Sequence, residues 1–106
     1  MKTITVRDKQ NNPYTLTFTA ETVKALEAKG FSLEKVTDMP MTMIPLLFEG
    51  AFLAKEAGAV TSEKAVEIYQ LQKNKTALLQ KLIELYNDPI DEVIVKEGNA
   101  EWECNF

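Results

Sequence analysis

The stretch PMTMIPLLFEGAFLAKEAG, from Pro40 to Gly58, constrains the fold more than any other part of the chain. Ile44, Leu47, Phe48, Ala51 and Phe52 fall at i, i+3, i+4, i+7 and i+8, the spacing that gathers apolar side chains on one broad helical face. A helix with such a face has to be buried, so the rest of the chain must supply a wall for it. Leu46 and Leu53 add apolar surface off the stripe, which predicts a second buried contact. Pro45 cannot donate a helical hydrogen bond and belongs in a first turn. The regular helix is therefore expected to begin near Thr42 to Ile44 and to stop at Gly58.

The wall comes from both sides. Ile4 and Val6 alternate with Thr3 and Thr5, and Tyr14, Leu16 and Phe18 alternate with Thr15 and Thr17, the period of half-buried strands. The break Asp8-Lys9-Gln10-Asn11-Asn12-Pro13 is made of residues that tolerate turn dihedrals, so an antiparallel hairpin is expected. Thr19 is placed to cap a helix with Glu21 in its first turn and Val23 and Leu26 on its apolar face. Gly30 stops it. With Gly30 at C′, Phe31 falls at C″ and Leu26 at C3, the apolar pair of a Schellman motif. Ser32 caps a short turn bearing Leu33 and Val36, which ends at Asp38-Met39-Pro40.

Downstream, Thr61 or Ser62 opens a helix with Ala65, Val66, Ile68, Tyr69 and Leu71. Asn74 opens another, striped by Leu78, Leu79, Leu82, Leu85 and Tyr86. Asn87-Asp88-Pro89 is expected to break that helix and restart a short one through Ile90, Val93 and Ile94. Finally Ala100, Trp102, Cys104 and Phe106 alternate with Glu101, Glu103 and Asn105, a strand period that predicts a return to the hairpin. The expected fold is α+β: one domain over residues 1–106, with a small antiparallel sheet from the N-terminal hairpin and a C-terminal strand, packed on about four helices.

Composition restricts the chemistry. The chain has no histidine, which excludes His-dependent triads and His-ligated metal sites, and its single cysteine, Cys104, can form neither an intramolecular disulfide nor a CxxC pair. Cys104 reads as a small core hydrophobe in a reduced, cytoplasmic protein, and Trp102 as core or sheet face. No signal-peptide pattern and no apolar run long enough to span a membrane is present. Twelve basic against 16 acidic residues argue against a nucleic-acid partner. Lys64, Lys73, Lys75 and Lys81 are interleaved with acids as a solubilising face. Asp91 and Glu92 are adjacent and point to different azimuths of a helix. No P-loop, GxGxxG, GxSxG, HExxH or EF-hand spacing occurs, so no catalytic, cofactor or metal residue is expected. Met39, Met41 and Met43, before the apolar helix, either fill core or form an adaptable surface for a partner's apolar helix. With Leu46 and Leu53 they are the candidate partner-binding residues. Two broad helical stripes in so short a chain also predict self-association.

The run Met39-Pro40-Met41-Thr42-Met43-Ile44-Pro45-Leu46-Leu47-Phe48-Glu49-Gly50-Ala51-Phe52, with Lys81-Leu82-Ile83-Glu84-Leu85-Tyr86-Asn87-Asp88-Pro89-Ile90 and Gly98-Asn99-Ala100-Glu101-Trp102-Glu103, resembles small proteins of phages and prophages of Gram-positive bacteria. The likeness runs in order along nearly the whole chain, including Thr22-Val23 and Gly30-Phe31. The group it resembles is the tail assembly chaperones of long-tailed bacteriophages. That resemblance implies a non-enzymatic protein of the host cytoplasm that binds the tape measure protein and keeps its apolar helices soluble. It further implies help for the tail tube protein to polymerise, and departure before the virion is complete. The same composition also suits a structural virion component such as a head–tail connector or minor tail protein.

Overall fold

The computed structural model describes residues 2–58 and 60–106. Strand β1 (Ile4–Arg7) pairs antiparallel with β2 (Pro13–Leu16), Ile4 opposite Leu16 and Arg7 opposite Pro13. The Asp8 N–H donates to the Asn12 carbonyl at 3.1 Å and closes a three-residue loop, Lys9 to Asn11, in which the Asn11 N–H donates to the Asp8 carbonyl at 2.9 Å. Asn11 takes φ +66°, a left-handed value that asparagine tolerates and this loop length requires. Among the described residues six helices follow: α1 (Ala20–Ala28), α2 (Lys35–Asp38), α3 (Pro40–Gly50), α4 (Leu53–Glu56), α5 (Ser62–Leu71) and α6 (Lys75–Ile90), the last running into a π-helical turn at Asp91–Val95.

Local chemistry accounts for the ends of α1. Thr19 accepts from the Thr22 N–H while the Thr22 hydroxyl accepts from the Thr19 N–H, a reciprocal cap. At the other end the Phe31 N–H reaches the Leu26 carbonyl at 3.1 Å and the Gly30 N–H that of Glu27 at 2.9 Å, with Gly30 at φ +91°. This is the expected Schellman motif, and Leu26 and Phe31 are both buried. Both residues enter one core with Leu16 and Phe18 of the hairpin segment, Leu47 and Phe48 of α3, Ile68 of α5, and Leu82 and Tyr86 of α6. Edge-to-face aromatic pairs tie the layers: Phe48 with Tyr69 at 5.1 Å, Phe18 with Tyr86 at 5.2 Å and Phe31 with Tyr86 at 5.0 Å. Burial raises the pKa of the Tyr69 and Tyr86 phenols, and Glu27 adds to the effect at Tyr86.

The apolar segment departs from expectation at both ends. Helix α3 starts at Pro40, which takes the N1 position, so Pro45 lies inside the helix and the Met41 carbonyl loses its usual ladder donor. The helix then stops at Gly50 rather than Gly58. The cause is the sheet: the Ala51 carbonyl accepts the Thr17 N–H at 3.0 Å, just past β2, instead of an N–H from its own ladder. The chain turns at Ala51-Phe52 and restarts as α4, which packs on β2. Leu47, Phe48, Ala51 and Phe52 are buried as the spacing requires, but the fifth position goes to Met43, while Ile44 is only half-buried.

A second correction concerns α6, which runs through Asn87-Asp88-Pro89 without a break. Pro89 cannot donate to the Leu85 carbonyl, and the ladder is taken up again by the Asp91 N–H and then widened in the π-helical turn. This continuation overturns the third strand. Lys2, next to β1, lies 3.7 Å from Asp88. The helical path from Asp88 to Val95 carries the chain about 10 Å past that point. Residues 96–106 leave as an extended, exposed arm, and among the described residues the sheet has two strands. Trp102 is 87% exposed and Cys104 is exposed too, so neither is core and neither faces a sheet. A compact chain of this length has a radius of gyration of about 13 Å. The observed 15.8 Å, with a long axis of 59 Å, reflects the arm.

Candidate functional site

The five residues expected at a partner surface are not brought together as one patch. Met39 links α2 to α3, its N–H donating to the Lys35 carbonyl at 2.7 Å, and its side chain is about half exposed. Met41, in the first turn of α3, is 89% exposed. Met43 lies on the opposite azimuth, buried beside Leu47, and belongs to the core. That is a correction with a simple cause: residues two apart on a helix point about 200° apart, so alternating methionines cannot all share a face. Leu46 packs against the core and is half-buried, and Leu53, on α4, is half-buried. Met39 and Met41 are what remains of the free methionine surface.

A second apolar surface lies elsewhere, where α1 meets the end of α6. Ala20, Val23, Lys24 and Glu27 form one wall and Pro89, Ile90, Val93 and Ile94 the other, enclosing a groove of about 220 Å³. The unbroken helix makes this wall, because Pro89, Ile90, Val93 and Ile94 are spaced at i, i+1, i+4 and i+5 along one continuous rod. Val93, Ile94 and Val95 are 65%, 75% and 69% exposed, so the apolar surface continues past the groove. Lys24 and Glu27 on α1 give it a charged rim. In the sequence Val93 and Ile94 read as part of a short helix and not as exposed surface. The available signal was three consecutive β-branched residues, Val93-Ile94-Val95, which no single amphipathic face can hide.

Among the described residues one acid is buried, Asp8, and it is at the hairpin rather than at either apolar surface. Asp8 Oδ1 accepts the Gln10 and Asn12 N–H groups, both at 2.9 Å, and Oδ2 accepts from Asn12 Nδ2 and the Tyr14 hydroxyl, both at 3.2 Å. Lys64 Nζ stands 3.9 Å away. The Asn12 amide above all, then Gln10 and Tyr14, hold the carboxyl below its ordinary pKa of 3.8, against an opposing effect of burial. Its lone pairs are engaged in fixing the turn, which makes Asp8 a structural anchor that a composition survey does not reveal.

Among the described residues, no group of three or more acidic or thiol side chains is arranged to hold a metal ion, and no helix is long and apolar enough to cross a membrane. The structure thus offers two apolar surfaces and an arm as its candidate functional features. Neither the curated proteins nor the solved structures include a match to this chain. A family of proteins does match, along residues 1–106: the chain belongs to the family described as domain of unknown function (DUF5055).

Proposed function

We propose that the chain is a tail assembly chaperone that holds the apolar helices of a phage tape measure protein, keeping them soluble while tail tube protein polymerises around them. The observation that carries this reading is the groove between α1 and α6, extended by the exposed Val93, Ile94 and Val95. An apolar trough with a charged rim suits an amphipathic helix laid along it, the client's apolar side chains in the groove and its polar ones near Lys24 and Glu27. Exposed contiguous apolar surface marks a protein-interaction site on a folded domain. The net charge of −4 helps to keep such a surface in solution. Met39 and Met41 supply a second, adaptable contact whose thioethers repack around unlike client sequences. The host cytoplasm, where tails are assembled, is the place of action on this reading.

The test is co-expression with the tape measure protein of the same genome, reading the soluble fraction of the client. Val93→Glu with Ile94→Glu should leave circular dichroism unchanged, both side chains being largely exposed, and should return the client to the pellet. Met39→Glu with Met41→Glu should weaken retention in the same assay. Leu46 is unsuitable for this purpose, since it packs against the core. Full client solubility with both double variants would refute the reading.

A further inference from the structure

We propose that residues 100–106 of one copy of the chain add as a third strand to the outer edge of β1 in a second copy, the exchange being reciprocal. The two edges of the hairpin differ. On β2, the Thr15 N–H donates to Glu56 Oε1 at 3.4 Å, and just past the strand the Thr17 N–H donates to the Ala51 carbonyl at 3.0 Å, so α4 and the α3–α4 turn close that side. On β1, hydrogen-bonded and non-bonded pairs alternate from the Asp8–Asn12 bond, which turns the N–H and C=O of Thr5 and Arg7 away from β2. The Arg7 carbonyl is met by Gln72 Nε2 at 3.0 Å. Thr5 has no such partner among the described residues and is exposed, so a short stretch of strand edge around it stands open.

The arm has the pattern that this edge lacks. Ala100, Trp102, Cys104 and Phe106 alternate with Glu101, Glu103 and Asn105, yet Trp102 and Phe106 stand fully in solvent. Paired with β1, the apolar set lies on the side of Ile4 and Val6. Trp102 then meets a recess of about 340 Å³ beside the edge, lined by Lys2, Thr3, Ile4, Leu85 and the ion pair of Lys81 with Glu84. The alternate set, Glu101 and Glu103, then falls on the face of Thr5 and Arg7, where Arg7 supplies an opposite charge. A second copy fits better than the same chain. The arm leaves its own body about 10 Å beyond the start of β1, and reversing there would set it parallel to β1, the weaker pairing. Between copies the strands are free to run antiparallel, and a two-fold axis closes the exchange.

Light scattering of the full chain from low to high micromolar concentration tests this, together with fluorescence of Trp102, the chain's single tryptophan. The expected result is a monomer that becomes a dimer as concentration rises, with Trp102 emission shifting to the blue in step. Trp102→Glu with Phe106→Glu should remain monomeric with unchanged circular dichroism. So should Thr5→Pro, which removes the outward N–H at an edge position where proline is tolerated; should that variant fail to fold, the arm variant decides alone. A monomer at every concentration would overturn the proposal, as would a dimer that survives the arm substitutions. Trp102 emission already blue-shifted in a monomer would place the arm on its own chain and overturn it equally.

Discussion

Gly50 of α3 packs directly against Leu26 of α1, and replacing it tests whether the core is packed as described. A Cβ at this position would stand 2.5 Å from Leu26 Cδ1, 3.1 Å from Cδ2 and 3.4 Å from Cγ. Leu26 has no exposed surface through which to withdraw. Two effects compete in Gly50→Ala. The backbone gains up to about 1 kcal/mol, less at a helix end, because alanine is the better helix former. Overpacking a closed core costs about 1–3 kcal/mol. The expected net is a loss of about 1–2 kcal/mol, read as a melting midpoint lower by roughly 4–12 °C for a domain of this size. Leu26→Ala alone should cost about 3–5 kcal/mol. In the double variant the new methyl enters the space that Leu26 vacates, so the two losses should fall short of additivity by about 1 kcal/mol or more. Chemical denaturation of the four proteins in the cycle measures this. A Gly50→Ala protein as stable as the parent, or strict additivity in the double variant, would refute the close approach of α1 and α3.

Three further outcomes follow from named contacts. Asp8→Asn should destabilise the protein at neutral pH; because the folded pKa of Asp8 is depressed below 3.8, the gap should be full above that value and close as the pH falls through the folded pKa, which melting curves across the acid range would reveal. Gly30→Ala should cost about 1–2 kcal/mol in urea denaturation, since φ +91° is strained for any Cβ even with open space around it. Met43→Glu should unfold the domain by circular dichroism while Met41→Glu leaves it folded; equal behaviour of the two would mean that α3 is rotated from the orientation described.

What the sequence discloses depends on how far each residue's partner lies along the chain. The cap at Thr19 and the Leu26, Gly30 and Phe31 motif were readable because donors, acceptors and apolar partners sit within six residues. The stripe Leu47, Phe48, Ala51 and Phe52 was equally legible as burial. Its geometry was not, because the end of α3 is set by the Thr17 N–H, a group from the other side of the fold. The alternation in Ala100 to Phe106 specifies two faces but not an edge to pair with, and a strand without an edge remains an arm. Pro89 misled for a related reason: a proline disfavours helix locally, yet packing of Leu82, Leu85 and Tyr86 holds the helix through it. The groove against α1 exists only because of that continuity, so a break at Pro89 hid it.

The most direct test of the proposed function is to quantify the chain by mass spectrometry in two fractions of the same infected or induced culture: the soluble lysate during assembly and the purified virions. A tail assembly chaperone should be found in the lysate bound to tape measure protein and should be missing from particles. A fixed copy number in purified virions would contradict the account and assign the chain to the head–tail connector or the minor tail proteins instead.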